Sequence, residues 1–165
     1  MSVTNVKSQW EDGNLVLDAY DGTELFRFDG TNKLAIQPGV LKSIRTRFTI
    51  AQVNAGATLL AAVPGYKYRM VECVGISVGG AAAAVTTVDV LGTQTSAVKL
   101  VAFAQASLTE NTALKAGGTG AAILAGGVSY VANDANTAIT VGKTGSSVTT
   151  ATHIDVIFSY VLEAA

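Results

Sequence analysis

The chain has 165 residues, of which 49% are apolar and 14% charged, with a net charge of -1 and a pI near 5.7. A soluble domain carries about 25% charged residues, so this surface rests on Thr, Ser, Asn and Gly, and the charge balance excludes a general attraction to nucleic acid or anionic lipid. The length suits one domain with an appendage and lets folding bury roughly 70% of the extended chain's surface. The lone Cys73 excludes an intrachain disulfide or a cysteine metal cluster.

The opening run Met1-Ser2-Val3-Thr4-Asn5-Val6-Lys7 lacks the apolar core of a secretory signal, so synthesis in the cytoplasm is expected. Three Asp-Gly pairs follow, Asp12-Gly13, Asp21-Gly22 and Asp29-Gly30. Asp-Gly favours a type I′ hairpin, because both central residues need positive φ, which Gly adopts freely and Asp tolerates. The runs between them, Leu15 to Ala19 and Glu24 to Phe28, have strand length, and Tyr20, Phe26 and Phe28 suit a half-covered pleated surface. This predicts a β-meander. Twelve of the twenty-three charged residues lie in residues 1 to 50. A boundary is expected at about Gln37-Pro38-Gly39, where proline fixes φ and glycine permits a reversal, giving an N-terminal arm over residues 1–40 and a second unit over 41–165.

Beyond the boundary the pattern is strand after strand. In Ile44 to Ile50 the residues Ile44, Phe48 and Ile50 oppose Arg45, Arg47 and Thr49, the period-2 alternation of a half-buried strand. Further strands are expected at Tyr66 to Val78, with a bulge near Glu72, and at Val85 to Leu91, Ala97 to Phe103, Ala113 to Ala116, Val128 to Val131 and Ala138 to Val141. The final strand sets Ile154, Val156, Phe158, Tyr160 and Leu162 against His153, Asp155, Ile157, Ser159 and Val161. Helix has room for only one or two turns, at residues 105–111. Within Tyr66 to Val78, Val71, Val74 and Ile76 surround Cys73 with apolar neighbours, so a buried, inert thiol is expected. The stretch from Gly75 to Val85 is too short and too interrupted to span a bilayer.

These elements predict an all-β fold, an antiparallel β-sandwich of jelly-roll or Greek-key type preceded by a small N-terminal β-meander arm. A sandwich this poor in charge has few lysines to protect its edge strands. Symmetric association covers such edges, and a homotrimer is expected.

The residues that carry chemistry elsewhere form no catalytic set here. His153 is the single histidine and starts a strand on its polar face; Asp155 lies on the same face and is placed to fix its tautomer. No Gly-x-Ser-x-Gly elbow accompanies them. Asn133-Asp134-Ala135-Asn136 offers oxygen ligands without the downstream glutamate of a calcium loop. Gly142-Lys143-Thr144-Gly145 lacks the earlier glycine of a phosphate-binding loop. Lys42, Arg45 and Arg47 form a small basic strip, and Tyr66-Lys67-Tyr68-Arg69 alternates aromatics with cations, as core aromatics and solvent-facing cations do on a strand. No enzyme activity, cofactor or metal is expected.

The run Asn54-Ala55-Gly56-Ala57-Thr58-Leu59-Leu60-Ala61-Ala62-Val63-Pro64-Gly65-Tyr66-Lys67-Tyr68-Arg69 resembles the opening of small β-sandwich virion proteins of tailed bacteriophages. Thr86 to Thr93, Asn133 to Gly145 and Ala151 to Val156 extend the resemblance over about residues 44–165. Leu25-Phe26-Arg27-Phe28-Asp29-Gly30-Thr31-Asn32 is similar to N-terminal arms of phage structural proteins. The resemblance implies a capsid decoration, or head auxiliary, protein: a jelly-roll homotrimer on the capsid exterior, seated where hexamers and pentamers of the major capsid protein meet. It implies no catalytic residues; charge and the lack of a long apolar run are the grounds on which no direct nucleic-acid binding and no membrane partner are expected. Aromatics and Arg are favoured at interface centres, which makes Trp10, Tyr20, Phe26, Arg27 and Phe28 the expected capsid-docking residues. Comparable strand-turn repeats in trimeric fibre shafts keep a second expectation open, a tail-fibre or receptor-binding module for host-surface glycan. A glycan-cleaving sandwich using Asp89, Asp134 or Asp155 is the third.

Overall fold

The structure, a computed structural model, describes residues 7–11, 14–19, 24–29, 34–94, 96–115 and 132–165. Its strands are β1 (Lys7–Glu11), β2 (Asn14–Asp18), β3 (Glu24–Asp29), β4 (Leu34–Ile36), β5 (Leu41–Thr49), β6 (Ala57–Leu60), β7 (Tyr66–Val78), β8 (Ala82–Gln94), β9 (Ser96–Ala104), β10 (Ala113–Lys115), β11 (Ile139–Thr150) and β12 (His153–Ala164), with one helix, α1 (Ile50–Ala55), and a 3-10 turn at Gln105–Ser107. They form three four-stranded sheets, ordered β1-β2-β3-β4, β10-β7-β12-β5 and β6-β11-β8-β9.

The second and third sheets make an antiparallel sandwich whose strands pair in nested fashion. β8 pairs with β9, β7 with β10, β6 with β11 and β5 with β12. A long hairpin rolled up on itself gives this order, and two further pairings, β12 with β7 and β11 with β8, stitch the roll into two sheets. That is the strand order of a jelly roll. The all-β sandwich read from the sequence is therefore the fold observed.

The core lies between the two sheets. From β12, Ile154, Val156, Phe158, Tyr160 and Leu162 are buried, as the period-2 pattern predicts. They meet Tyr66, Tyr68 and Met70 of β7 and, across the sandwich, Val88 and Val90 of β8, Phe103 of β9 and Val141 of β11. Tyr68 and Tyr160 pack edge to face with centroids 5.3 Å apart. Each large side chain so buried contributes roughly 1.5–3 kcal/mol. Gly75 is closely packed: a Cβ there would lie 3.1 Å from the Phe103 ring, tight enough that the ring would have to give by a few tenths of an ångström. The bulge expected near Glu72 is present, since Ser159 opposes Glu72 and Tyr160 opposes Met70, leaving Val71 as the extra residue.

Several expectations need correction. Ile50 does not end a strand; it begins α1, because Thr49 and Gln52 form a capping box in which the Gln52 amide donates to Thr49 Oγ1 at 3.3 Å and the Thr49 amide donates to Gln52 Oε1 at 2.8 Å. The strand expected at Ala138 to Val141 runs as β11 to Thr150, so Gly142-Lys143-Thr144-Gly145 is ladder and not loop. The segment expected to hold a strand at Val128 to Val131 lies outside the described residues. β6 was not foreseen; its four residues are too few to show a period.

Candidate docking surface

The first sheet shares no strand with the sandwich, and the change of sheet falls between Ile36 and Leu41. Cross-strand pairing fixes what each face of this meander presents, because directly opposed residues share a face. Trp10, Leu15 and Phe28 form one row; Leu17 and Phe26 belong to the next row on the same face. Trp10 is 74% exposed and Phe28 40%, while Leu15, Leu17 and Phe26 are half-buried.

The opposite face mixes polar and apolar residues, with Ile36 of β4 set opposite Arg27. Gln9, Val16 and Arg27 form its central row, with Val16 1% exposed. The Gln9 amide donates to Glu11 Oε1 and to Asp18 Oδ2, each at 2.8 Å, and Arg27 Nη2 lies 3.5 Å from Glu11 Oε2. The alternation in Leu25-Phe26-Arg27-Phe28 thus divides the expected docking residues. Trp10, Phe26 and Phe28 come together on one face, Arg27 turns to the other, and Tyr20 lies outside the described residues, as do the Asp12-Gly13 and Asp21-Gly22 turns.

A second charged site lies on the outer face of the sandwich. Asp155 points away from the core yet is fully buried, because Arg45 and Arg47 of the neighbouring β5 close over it. Arg47 donates through Nε to Oδ1 at 2.7 Å and through Nη2 to Oδ2 at 2.9 Å; Arg45 donates through Nε to Oδ2 at 3.1 Å and also through Nη2. The two guanidinium groups, Arg47 foremost, hold the Asp155 carboxyl down at about 2 against the opposing effect of burial. Asp155 therefore does not orient His153, whose Nδ1 meets Thr152 Oγ1 at 3.0 Å instead. Lys42 does not join the two arginines either: it has the opposite parity on β5, and partial burial lowers its pKa.

The remaining polar candidates serve the fold. Asn133 is buried, with Nδ2 donating to Thr137 Oγ1 at 2.8 Å and Oδ1 accepting from the Thr93 amide; Asn136 Oδ1 accepts from the Gly65 amide at 2.7 Å. Their side-chain oxygens pin the 132–138 loop to β8 and to the turn just ahead of β7. Beside this loop Lys67, Arg69 and Asp134 line an open cleft of about 420 Å³, in which Arg69 is paired to Glu163 at 2.6 Å. On β8, Asp89 is buried under Lys99 at 3.1 Å and Thr144 at 2.7 Å. Tyr66 and Tyr68 are core residues while Lys67 and Arg69 face outward, as the alternation implies. Among the described residues no three His, Cys, Asp or Glu side chains gather in a form that holds a metal ion.

The sequence reading missed the Arg45-Asp155-Arg47 cluster because it needs the pairing of strands more than a hundred residues apart. The available signal was two arginines on one strand face and a carboxylate on the polar face of another. Comparison with known protein families, with curated proteins and with solved structures found no match for this chain.

Proposed function

We propose that this protein is a structural component of a phage virion, a capsid decoration protein that binds the major capsid protein shell as a trimer and stabilises it. The observation that carries the reading is the aromatic face of the N-terminal meander, where Trp10 and Phe28 stand exposed in one row with Leu15. Exposed apolar surface grouped on one face is the form that protein interaction sites take, and aromatic anchors dominate interface energetics. The meander leads into the jelly-roll sandwich, the body it would attach. A trimer holding neighbouring capsomers turns weak single contacts into an avid attachment, since later contacts become intramolecular once the first has formed.

The test is binding to expanded capsids of the phage that encodes the chain. The intact protein is expected to saturate them, and Trp10→Ala with Phe28→Ala is expected to weaken attachment at least tenfold while leaving the melting temperature unchanged. Undiminished binding of the double variant overturns the docking face; antibody labelling confined to the tail tip overturns the capsid role in favour of a fibre or receptor-binding module.

A further inference from the structure

Asp89 lies on β8, an interior strand of the sheet β6-β11-β8-β9, and on the face turned away from the core, since its neighbours Val88 and Val90 are core residues. It is nevertheless only 1% exposed, and Lys99 lies over it with Nζ 3.1 Å from Oδ2. A bulge places the lysine there. Val90 opposes Val101 and Leu91 opposes Lys99, so Leu100 is the extra residue and Lys99 shares the face of Asp89. From that position it reaches Asp89 along the diagonal between neighbouring strands.

Thr144 of β11 joins the pair from the other side. Register sets it opposite Thr87, two residues before Asp89 and on the same face. Lys99 Nζ donates to Thr144 Oγ1, and Thr144 Oγ1 donates to Asp89 Oδ2 at 2.7 Å. A hydroxyl accepts and donates at once, so a proton is able to pass from the ammonium through Thr144 to the carboxylate, leaving a neutral amine beside a neutral acid. The rest of the site is unsatisfied. Asp89 Oδ1 and Thr87 Oγ1 are both buried, and among the described residues neither has a hydrogen-bond partner. Buried polar atoms without partners are uncommon and call for an explanation.

We propose that Lys99 and Asp89 join in an isopeptide bond, an amide between the two side chains that fastens β9 to β8. Nζ bonds to Cγ, the Cγ–Oδ2 bond breaks, and Oδ2 leaves as water with two of the protons that began on Nζ; the third stays on the amide nitrogen. Charge balances, since an ammonium and a carboxylate give a neutral amide, and no oxidant or cofactor takes part. Attack places negative charge on Oδ1, the unpartnered oxygen, and the Thr87 hydroxyl on the same face is the group available to donate to it. Holding amine and carboxyl in contact replaces an encounter in solution with a step inside one molecule. Lys99 is 45% exposed, which gives the released water a way out. Among the described residues β9 ends its sheet and pairs with β8 alone, so the bond secures a strand held from one side. The bond is independent of what the meander docks to.

The experiment is an intact-mass measurement of the denatured full chain, followed by tryptic mapping. The mass is expected to fall short of that of the sequence by one water, and residues 70–115 are expected as a single peptide that trypsin does not cut after Lys99. Lys99→Arg keeps a cation over Asp89 and is expected to show the full mass with an unchanged circular dichroism spectrum; Asp89→Ala is expected to show the full mass too. Thr144→Val is expected to slow bond formation about a hundredfold, leaving unlinked chain in fresh preparations, and Thr144→Ser to restore it. Full mass and ready cleavage after Lys99 in the wild-type chain overturn the bond. A missing water located at one of the Asp-Gly pairs, where an aspartate cyclises onto its own backbone, overturns it as well. A Thr144→Val chain that links as fast as the wild type overturns the relay.

Discussion

Arg47 straddles the carboxylate of Asp155, donating to Oδ1 at 2.7 Å and to Oδ2 at 2.9 Å, and so ties β12 to a strand 108 residues earlier. Because the Asp155 pKa is held at about 2, below its unfolded value near 4, the pairing stabilises the fold in full above pH 4. That stability is lost as pH falls from about 4 through about 2, where the folded protein must take up the proton. Arg45 and Arg47 are half exposed, which weakens the pair, so a loss of about 1–2 kcal/mol is expected across this window. Denaturant titrations at stepped pH measure it, and in Asp155→Asn the acid dependence is expected to shrink by this amount, leaving the part that comes from Glu163, whose carboxyl Arg69 also holds down.

Cys73 is fully buried, and burial pushes its thiol up to about 12. The thiolate is the reactive form, so the native protein is expected to resist a disulfide reagent at pH 8 and to react with one equivalent after unfolding. Prompt labelling of the folded protein contradicts the packing around β7.

Phe158 sits at the centre of the sandwich with none of its surface exposed. Phe158→Ala is expected to cost about 3–5 kcal/mol, the lost burial plus the cavity left behind. Trp10→Ala is the contrasting case, since Trp10 is 74% exposed; its effect on stability is expected to stay within about 0.5 kcal/mol. Chemical denaturation of both variants side by side checks the pair.

Asn133 bonds the Thr93 amide, Thr137 and the Ala138 carbonyl while fully enclosed. Asn133→Ala strands the half-buried Thr93 amide, at a cost of about 1 kcal/mol. Hydrogen exchange is expected to report it locally, as faster exchange at Thr93 and across the 132–138 loop before any global change.

Alternation made the sandwich legible. β12 is legible because one of its faces lies in the core and a period of two survives in the sequence, whereas the apolar residues of β7 change parity at the bulge beside Glu72. β11 extends past the expected Val141 because Gly142 and Gly145 look like a turn in sequence; in the structure both pair with β8, with the register shifting at Gly145 and resuming at Thr149. α1 was missed although Thr49-Ile50-Ala51-Gln52 carries a capping-box spacing, because a six-residue helix shows less than two turns of periodicity. The meander's aromatic residues were read as one group, and Arg27 was placed with them. Register, which sequence does not state, sets Arg27 on the other face beside Glu11.

The strand that completes the central sheet, β12, lies between β7 and β5, both of which leave the ribosome long before it. Until β12 emerges those two strands have no partner in common, and pairing over such separations is slow to form. The meander depends only on neighbours in sequence, so its four strands are able to assemble while translation continues. The meander's local pairings are thus able to form before the long-range pairings of the sandwich.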